Sequence, residues 1–346
     1  MPASNTDTGI PASNEHVDGA ASNSGLPGDA SLREGLIAVL GAKGLQVAEL
    51  VILAREKNTY TSTFPSEIIT CQVGSGPVMQ LFLKYSADRE NEAYGHRGGV
   101  GYEASVYGQL LDHLDISTAR LHGIYRGPDR MNSWLVLDYL EAGERMTHTI
   151  DPDAMVKAAR WTGRFHAFCS SRSSDASLAF LNRYTPDYYR GWVSRTQQMV
   201  RQAGAEPAWL RSLCSRIDEV IEVLCDAAPT IIHGEFYPKN ILVQDGLIYP
   251  VDWESAAIGS GMIDLAMLTE GWPTDITREL VQEYQHSRWP EAPPADIEKG
   301  LHAARIYVQF RWLGDQTWLE NKRTRLSEWE GYLDALHEHA EEMRLI

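Results

Sequence analysis

The chain has 346 residues, 43% hydrophobic and 23% charged, which is enough apolar material for two ordinary domains or one bilobal unit. Thirty-one Lys and Arg stand against 47 Asp and Glu, a net charge of −16 with no basic excess to displace counterions from a nucleic acid. The four cysteines (Cys71, Cys169, Cys214, Cys225) lie far apart, no apolar run is long enough for a membrane span, and the N-terminus lacks the basic and apolar regions of a signal peptide. The expectation is a soluble cytoplasmic protein, monomeric or weakly dimeric, with neither nucleic acid nor membrane as a partner.

Residues 1–30 are rich in Ser, Asn, Ala, Gly and Asp and are predicted to be a disordered tail, because they cannot bury enough surface to offset ordering. Ser31 to Glu34 has the spacing of a capping box and opens a short helix. Three stretches rich in β-formers follow, 45–55, 67–73 and 78–85, the last two separated by a turn at Gly74–Pro77. In the third, Met79, Leu81 and Leu83 make an apolar face, and Lys84 ends the strand on the opposite face. A glycine-rich connector, Gly95 to Gly101, leads into a helix with Glu103, Tyr107, Leu110, Leu111 and Leu114 on one stripe. Further strands are predicted near 122–125 and 134–140, before a break at 141–143. Helices are then predicted near 155–169, 190–203, 208–226, 276–286, 297–313 and 327–343, with one β interruption at 230–253. His166, on the first of these, has no second ligand at helical spacing and should pack internally. The coarse result is an α+β chain in which the 1–30 tail precedes a small β-rich lobe (31–140) and a larger helical lobe (141–346).

The segment 230–266 carries the chemistry. Asp245-Gly246 is a two-residue hairpin turn signal, pairing residues whose numbers sum to about 491. Asn240 and Asp252 then fall within one register step of each other at the open end, and Glu235 lies on the loop entering the first strand. Two carboxylates and an amide oxygen at one rim suit Mg2+ and a base. Taken alone, the same residues also fit a polar turn, since Asn and Asp are habitual there.

Three motifs in order decide between these readings: His233-Gly234-Glu235 running to Asn240, Val251-Asp252-Trp253-Glu254, and Gly259 running to Asp264-Leu265-Ala266. The segment resembles the catalytic core of the aminoglycoside phosphotransferase / choline kinase family, relatives of the protein kinases. The resemblance implies a bilobal protein-kinase-like fold and an ATP- and Mg2+-dependent transfer to a hydroxyl of a small-molecule acceptor. By that resemblance Asn240 and Asp252 would hold the metal, and Lys84 would grip the phosphates while Glu103 orients it, with Glu90 or Glu92 as alternative partners. Asp138, Tyr139 and Leu140 would offer backbone groups to adenine, and Thr61 and Ser62, in the loop 57–64, would cradle phosphate. Asp264 and His233 would brace the catalytic loop. Gly95–Gly101 follows the lysine strand instead of preceding it, so it does not match a phosphate loop and reads as a mobile connector.

Glu235 stands where the family has aspartate. Its carboxylate is displaced by about 1.5 Å, but it remains available to orient the acceptor hydroxyl. The C-terminal helices would form the acceptor pocket, with Trp272, Tyr307, Trp312 and Trp318 among Asp275, Glu279, Asp315 and Glu320. Two rivals share these residues: a nucleotide-binding pseudokinase acting as a scaffold, and a kinase for Ser or Thr of a peptide.

Overall fold

Strand β3 (Val78–Tyr85) alternates as its sequence does, and the alternation organises the N-terminal lobe. Leu81, Leu83 and Tyr85 are buried on one face together with Leu32, Leu36, Val39 and Leu40 of helix α1 (Asp29–Ala42). The opposite face, with Lys84 on β3 and Leu135 and Leu137 on β5 (Ser133–Asp138), turns toward helix α2 (Gly99–Gln109) and the second lobe. With β1 (Leu50–Lys57), β2 (Ser66–Val73) and β4 (Leu121–Arg126), these strands form an antiparallel sheet of order β1-β2-β3-β5-β4. The computed structural model describes residues 26–44, 47–58, 64–86, 93–127, 133–149, 151–204, 206–315 and 326–346.

Two expectations at the N-terminus need correction. Helix α1 starts at Asp29, with Gly28 in extended backbone as its cap, so Ser31 lies inside the helix. The boundary of the tail also moves, because Arg55 donates to Asp29 (2.6 Å) and to the Pro27 carbonyl (3.0 Å) and Leu26 packs on the core. Long-range partners on β1 hold this stretch, which local composition cannot reveal. Residues 1–25 of the predicted tail lie outside the described residues.

Beyond Asp138 the chain is largely helical. After β6 (Glu144–Arg145) and α3 (Met146–Thr149) comes α4 (Pro152–Ser170), started by Asp151, whose carboxylate accepts the Asp153 N–H, and by proline at its first position. Helix α5 (Pro186–Ala203) follows the short β7 (Asn182–Arg183) and runs from a Thr185 cap to Gly204 in the left-handed region. The single helix expected over 208–226 is broken at Arg216 into α6 (Ala208–Ser215) and α7 (Ile217–Asp226). There the Arg216 side chain turns to Glu219 and to the Arg344 carbonyl (2.7 Å). Strands β8 (Thr230–Ile232), β9 (Ile241–Gln244), β10 (Leu247–Pro250) and β11 (Ala257–Gly259) precede α8 (Met262–Thr269), α9 (Thr274–Arg288), α10 (Ile297–Leu313) and α11 (Leu326–Glu342).

The β9–β10 hairpin pairs Gln244 with Leu247 and Ile241 with Pro250, the register read from the sequence. Asp245 and Gly246 both have positive φ (52° and 72°), as such a two-residue turn requires. One continuous apolar core runs from α2 and β5 through α4 and α8 to α10. The fold is an α+β architecture of two lobes joined across this core. No helix among the described residues is long and apolar enough to cross a membrane.

Candidate active site

Lys84 is 3% exposed, its ammonium held between two carboxylates. Glu103, one helical turn into α2, sits on the buried stripe with Ala104 and Tyr107 and accepts from Nζ at 2.7 Å. Asp252 accepts from the same Nζ at 2.6 Å, and Glu254 lies 3.8 Å away. The second Glu103 oxygen accepts the Trp253 backbone N–H (3.2 Å), so the helix of one lobe is tied directly to the strand exit of the other. Asp252 adopts φ 68°, ψ 61°, a left-handed conformation that a non-glycine residue keeps only where its surroundings over-determine it.

The electrostatics follow from this packing. Burial disfavours the Lys84 ammonium, but Asp252, Glu103 and Glu254 outweigh it and hold the group well above its ordinary pKa. Burial likewise works against the Asp252 carboxylate, yet Lys84 brings its pKa below the usual value. Glu254 is pushed up to about 8, chiefly by burial.

The loop between β8 and β9 is set by Asp264, which is fully buried in the first turn of α8. Its carboxylate accepts the His233 N–H (2.7 Å) and the Gly234 N–H (2.9 Å), and the His166 ring lies 3.1 Å from it. Gly234 has φ 81°, and a Cβ there would run into the Ser255 carbonyl, so glycine is required. His233 Nε2 reaches the Val251 carbonyl at 3.0 Å. The bracing expected of Asp264 and His233 and the internal packing expected of His166 are thus seen as contacts.

Asn240 spends its amide N–H on the Glu235 carbonyl (3.0 Å), and its own carbonyl accepts the Val251 N–H (2.9 Å). The Asn240 side-chain oxygen is left to accept from elsewhere, beside the strand that delivers Asp252.

Glu235 is where the site departs from expectation. One of its oxygens, Oε1, receives Arg97 at 3.2 Å and Arg311 at 3.1 Å, with His96 Nε2 at 3.4 Å, and the residue is 4% exposed. Burial opposes its ionisation, but Arg97, the neighbouring His96 ring and Arg311 hold the carboxyl well below the usual range. A carboxylate so held is a weak base, and in this conformation the oxygen is already occupied.

The sequence reading missed Arg97, His96, Arg311 and Glu254 as site residues. Glu254 stood inside a recognised motif and could have been taken with it. Arg97 and Arg311 lie 138 and 76 positions from Glu235, and no local pattern marks them. The connector expected to be a mobile link brings His96 and Arg97 onto Glu235 in the loop between β8 and β9.

At the lobe junction, the Asp138 N–H is spent on the Arg120 carbonyl (2.9 Å) and the Tyr139 N–H on the Gln80 carbonyl (3.1 Å). Leu140 accepts from the Gly143 N–H, and the Asp138 carboxylate meets His122. The backbone N–H groups of Asp138 and Tyr139 are therefore already engaged within the protein. Thr61, Ser62, Glu90, Glu92, Trp318 and Glu320 lie outside the described residues. Tyr307 is buried against Tyr188 and Tyr189, and Trp312 donates to the Tyr237 hydroxyl (2.8 Å). Asp275 and Glu279 face solvent.

The sequence profile of the phosphotransferase enzyme family (APH) matches residues 100–296, more than half of the chain and all three motifs. The chain belongs to the phosphotransferase enzyme family.

No curated protein matches this phosphotransferase by sequence. Among solved structures it is similar to the choline kinase LicA from Streptococcus pneumoniae, at 14% identity and TM-score 0.59, over 89% of this chain and 98% of that one. It is also similar to the macrolide 2'-phosphotransferase MphH from Brachybacterium faecium, at 18% identity and TM-score 0.54, over 88% and 98%. A GDP complex of aminoglycoside 2'-phosphotransferase-IIIa matches at 15% identity and TM-score 0.58, over 91% and 99%. At these identities the likeness is one of fold.

The donor set of this phosphotransferase fits a hard divalent cation. The Asn240 side-chain N–H donates to the Glu235 carbonyl, which directs its amide oxygen elsewhere, and the Asp252 side chain is 31% exposed.

Proposed function

We propose that this phosphotransferase moves the γ-phosphoryl group of ATP, with Mg2+, onto a hydroxyl of a small molecule. Lys84 held between Glu103 and Asp252, across from a loop bearing Asn240, is the observation that carries this reading. Residues 31–140 serve as the nucleotide-binding lobe, and residues 141–346 supply the catalytic loop and acceptor side. Lys84 neutralises charge on the nucleotide phosphates, and Glu103 keeps the ammonium aimed when Asp252 turns to the metal. Asn240 and Asp252 hold Mg2+, which when bound offsets negative charge on the phosphates. The Asp138–Leu140 backbone borders the adenine.

Glu235 orients the acceptor hydroxyl and contributes little as a proton acceptor, because its arginines depress its basicity. Phosphoryl transfer tolerates this, since positioning and charge neutralisation account for most of the acceleration. The ion pairs on Glu235 also favour one competing reading, a nucleotide-binding scaffold without turnover.

Two measurements on the purified full chain separate these. Mg-ATP should raise the melting temperature of the wild type and of Glu235→Ala, and that rise should vanish in Asp252→Ala. Transfer from Mg-ATP to a panel of amino alcohols, aminoglycosides and sugars should occur and fall on the order of 100-fold in Lys84→Ala. Melting shifts without transfer to any acceptor would decide for the scaffold, and no shift at all would overturn nucleotide binding.

A further inference from the structure

The segment Tyr94–Gly99, between β3 and α2, is tied into the cleft on three sides. On the first side His96, 1% exposed, has Nδ1 within 3.0 Å of both the Tyr184 and Tyr188 hydroxyls, and its ring edge meets Trp192. On the second, Arg97 and His96 converge on Glu235 Oε1. On the third, Arg97 Nε lies 3.4 Å from Glu254, and the Gly98 N–H donates to the Glu254 carbonyl at 2.8 Å. Tyr94 closes the outer end, edge-on to Trp192 and covered by the Arg195 guanidinium at 4.1 Å.

A group that meets an acceptor hydroxyl must come within hydrogen-bond reach of it. Here the Glu235 oxygen facing Arg97 and Arg311 has no room for another partner. On the phosphotransferase reading, Arg97 and His96 stand beside the carboxylate that the acceptor hydroxyl would have to reach. The ties are incomplete, however: His96 Nε2 and Arg97 Nε are buried without a hydrogen-bond partner of good geometry. Such groups favour release once an alternative partner arrives.

The backbone at both ends of the segment is left-handed. Tyr94 (φ 58°), Gly95 (φ 79°) and Gly99 (φ 70°) are all left-handed, so strain and freedom are concentrated at its two ends. The Glu at position 235 fits the same picture, because its additional methylene carries the carboxylate out to the arginines.

We propose that Tyr94–Gly99 is a plug that shuts the acceptor side of the active site, latched by Arg97 and His96 on Glu235. It swings out on Gly95 and Gly99 to admit the acceptor. This rests on the phosphotransferase reading of the site. Arg97→Ala removes the latch from the plug, and Glu235→Asp withdraws it from the loop while keeping the charge.

The test combines hydrogen exchange of residues 94–101 with release of inorganic phosphate from Mg-ATP, water serving as acceptor, and with the melting shift caused by Mg-ADP. In both variants exchange at 96–99 should quicken on the order of tenfold, what loss of one hydrogen bond to a charged group amounts to. Phosphate release should rise, and the Mg-ADP shift should persist. If Arg97→Ala does not fold, Glu235→Asp decides alone. Unchanged exchange in a folded variant, or faster exchange with slower phosphate release, would overturn the plug. A missing Mg-ADP shift in the wild type would instead overturn the nucleotide-site reading, and the exchange data would still decide whether the latch exists.

Discussion

Glu235 shows how much one methylene changes the role of a residue. An aspartate on the same loop would hold its carboxylate nearer the backbone, whereas the glutamate reaches the half-buried Arg97 of the connector and the buried Arg311 of α10. The depressed pKa fixes the sign of a pH effect. Its stabilisation is complete above the unfolded carboxyl value and is lost as pH falls toward the lower folded value. Glu235→Gln should therefore cost about 3–5 kcal/mol near neutrality, because it leaves the buried Arg311 guanidinium without its counter-charge. The gap from wild type should narrow once pH drops below about 4.3. Denaturant melts at pH 7, 5 and 3 would check this, and a gap that is constant across the series would contradict it.

At the scale of elements, the loop between β8 and β9 is placed by α8 and the strand exits more than by its own residues. Asp264 takes two consecutive backbone N–H groups of the loop, and the left-handed Gly234 lets the chain pass under the Ser255 carbonyl. Gly234→Ala should destabilise the fold by about 2–4 kcal/mol, from left-handed strain and overpacking together. It should also lower turnover, since Glu235 follows directly. Thermal melts with transfer assays would show this, and an unperturbed Tm would mean that the loop relaxes freely.

Element prediction succeeded where the signal was local. The β9–β10 register came from an Asp-Gly turn and the number of residues on each arm. Helix α2 was legible from its stripe, and the fold decided that Glu103, which could equally have faced water, is buried. The break at Arg216 was not legible, because a side chain reaching the Arg344 carbonyl 128 positions away interrupts an otherwise helical pattern. The start of α1 was missed for a similar reason, since Arg55 on β1 anchors the residues before Ser31.

Across the whole molecule the lobes share their interior. The central sheet presents one face to α1 and the other to a core that continues into α4, α8 and α10, and Glu103 ties α2 to the Trp253 backbone. Neither lobe can lose its packing without exposing apolar surface of the other. Calorimetry should accordingly show one cooperative heat transition, and two resolved transitions would refute the coupling.

The amino-acid sequence was sufficient for the α+β lobe order and the register of the β9–β10 hairpin, which depend on periodicity, turn chemistry and short spacings written locally in the chain. Lys84, Glu103, Asn240 and Asp252 were singled out by the family resemblance. Only the tertiary structure brought Arg97 and Arg311 onto Glu235 and turned the glycine-rich connector into the cleft. Ion pairs between residues far apart in the chain leave no periodic trace, and they form only when folding removes the water between them.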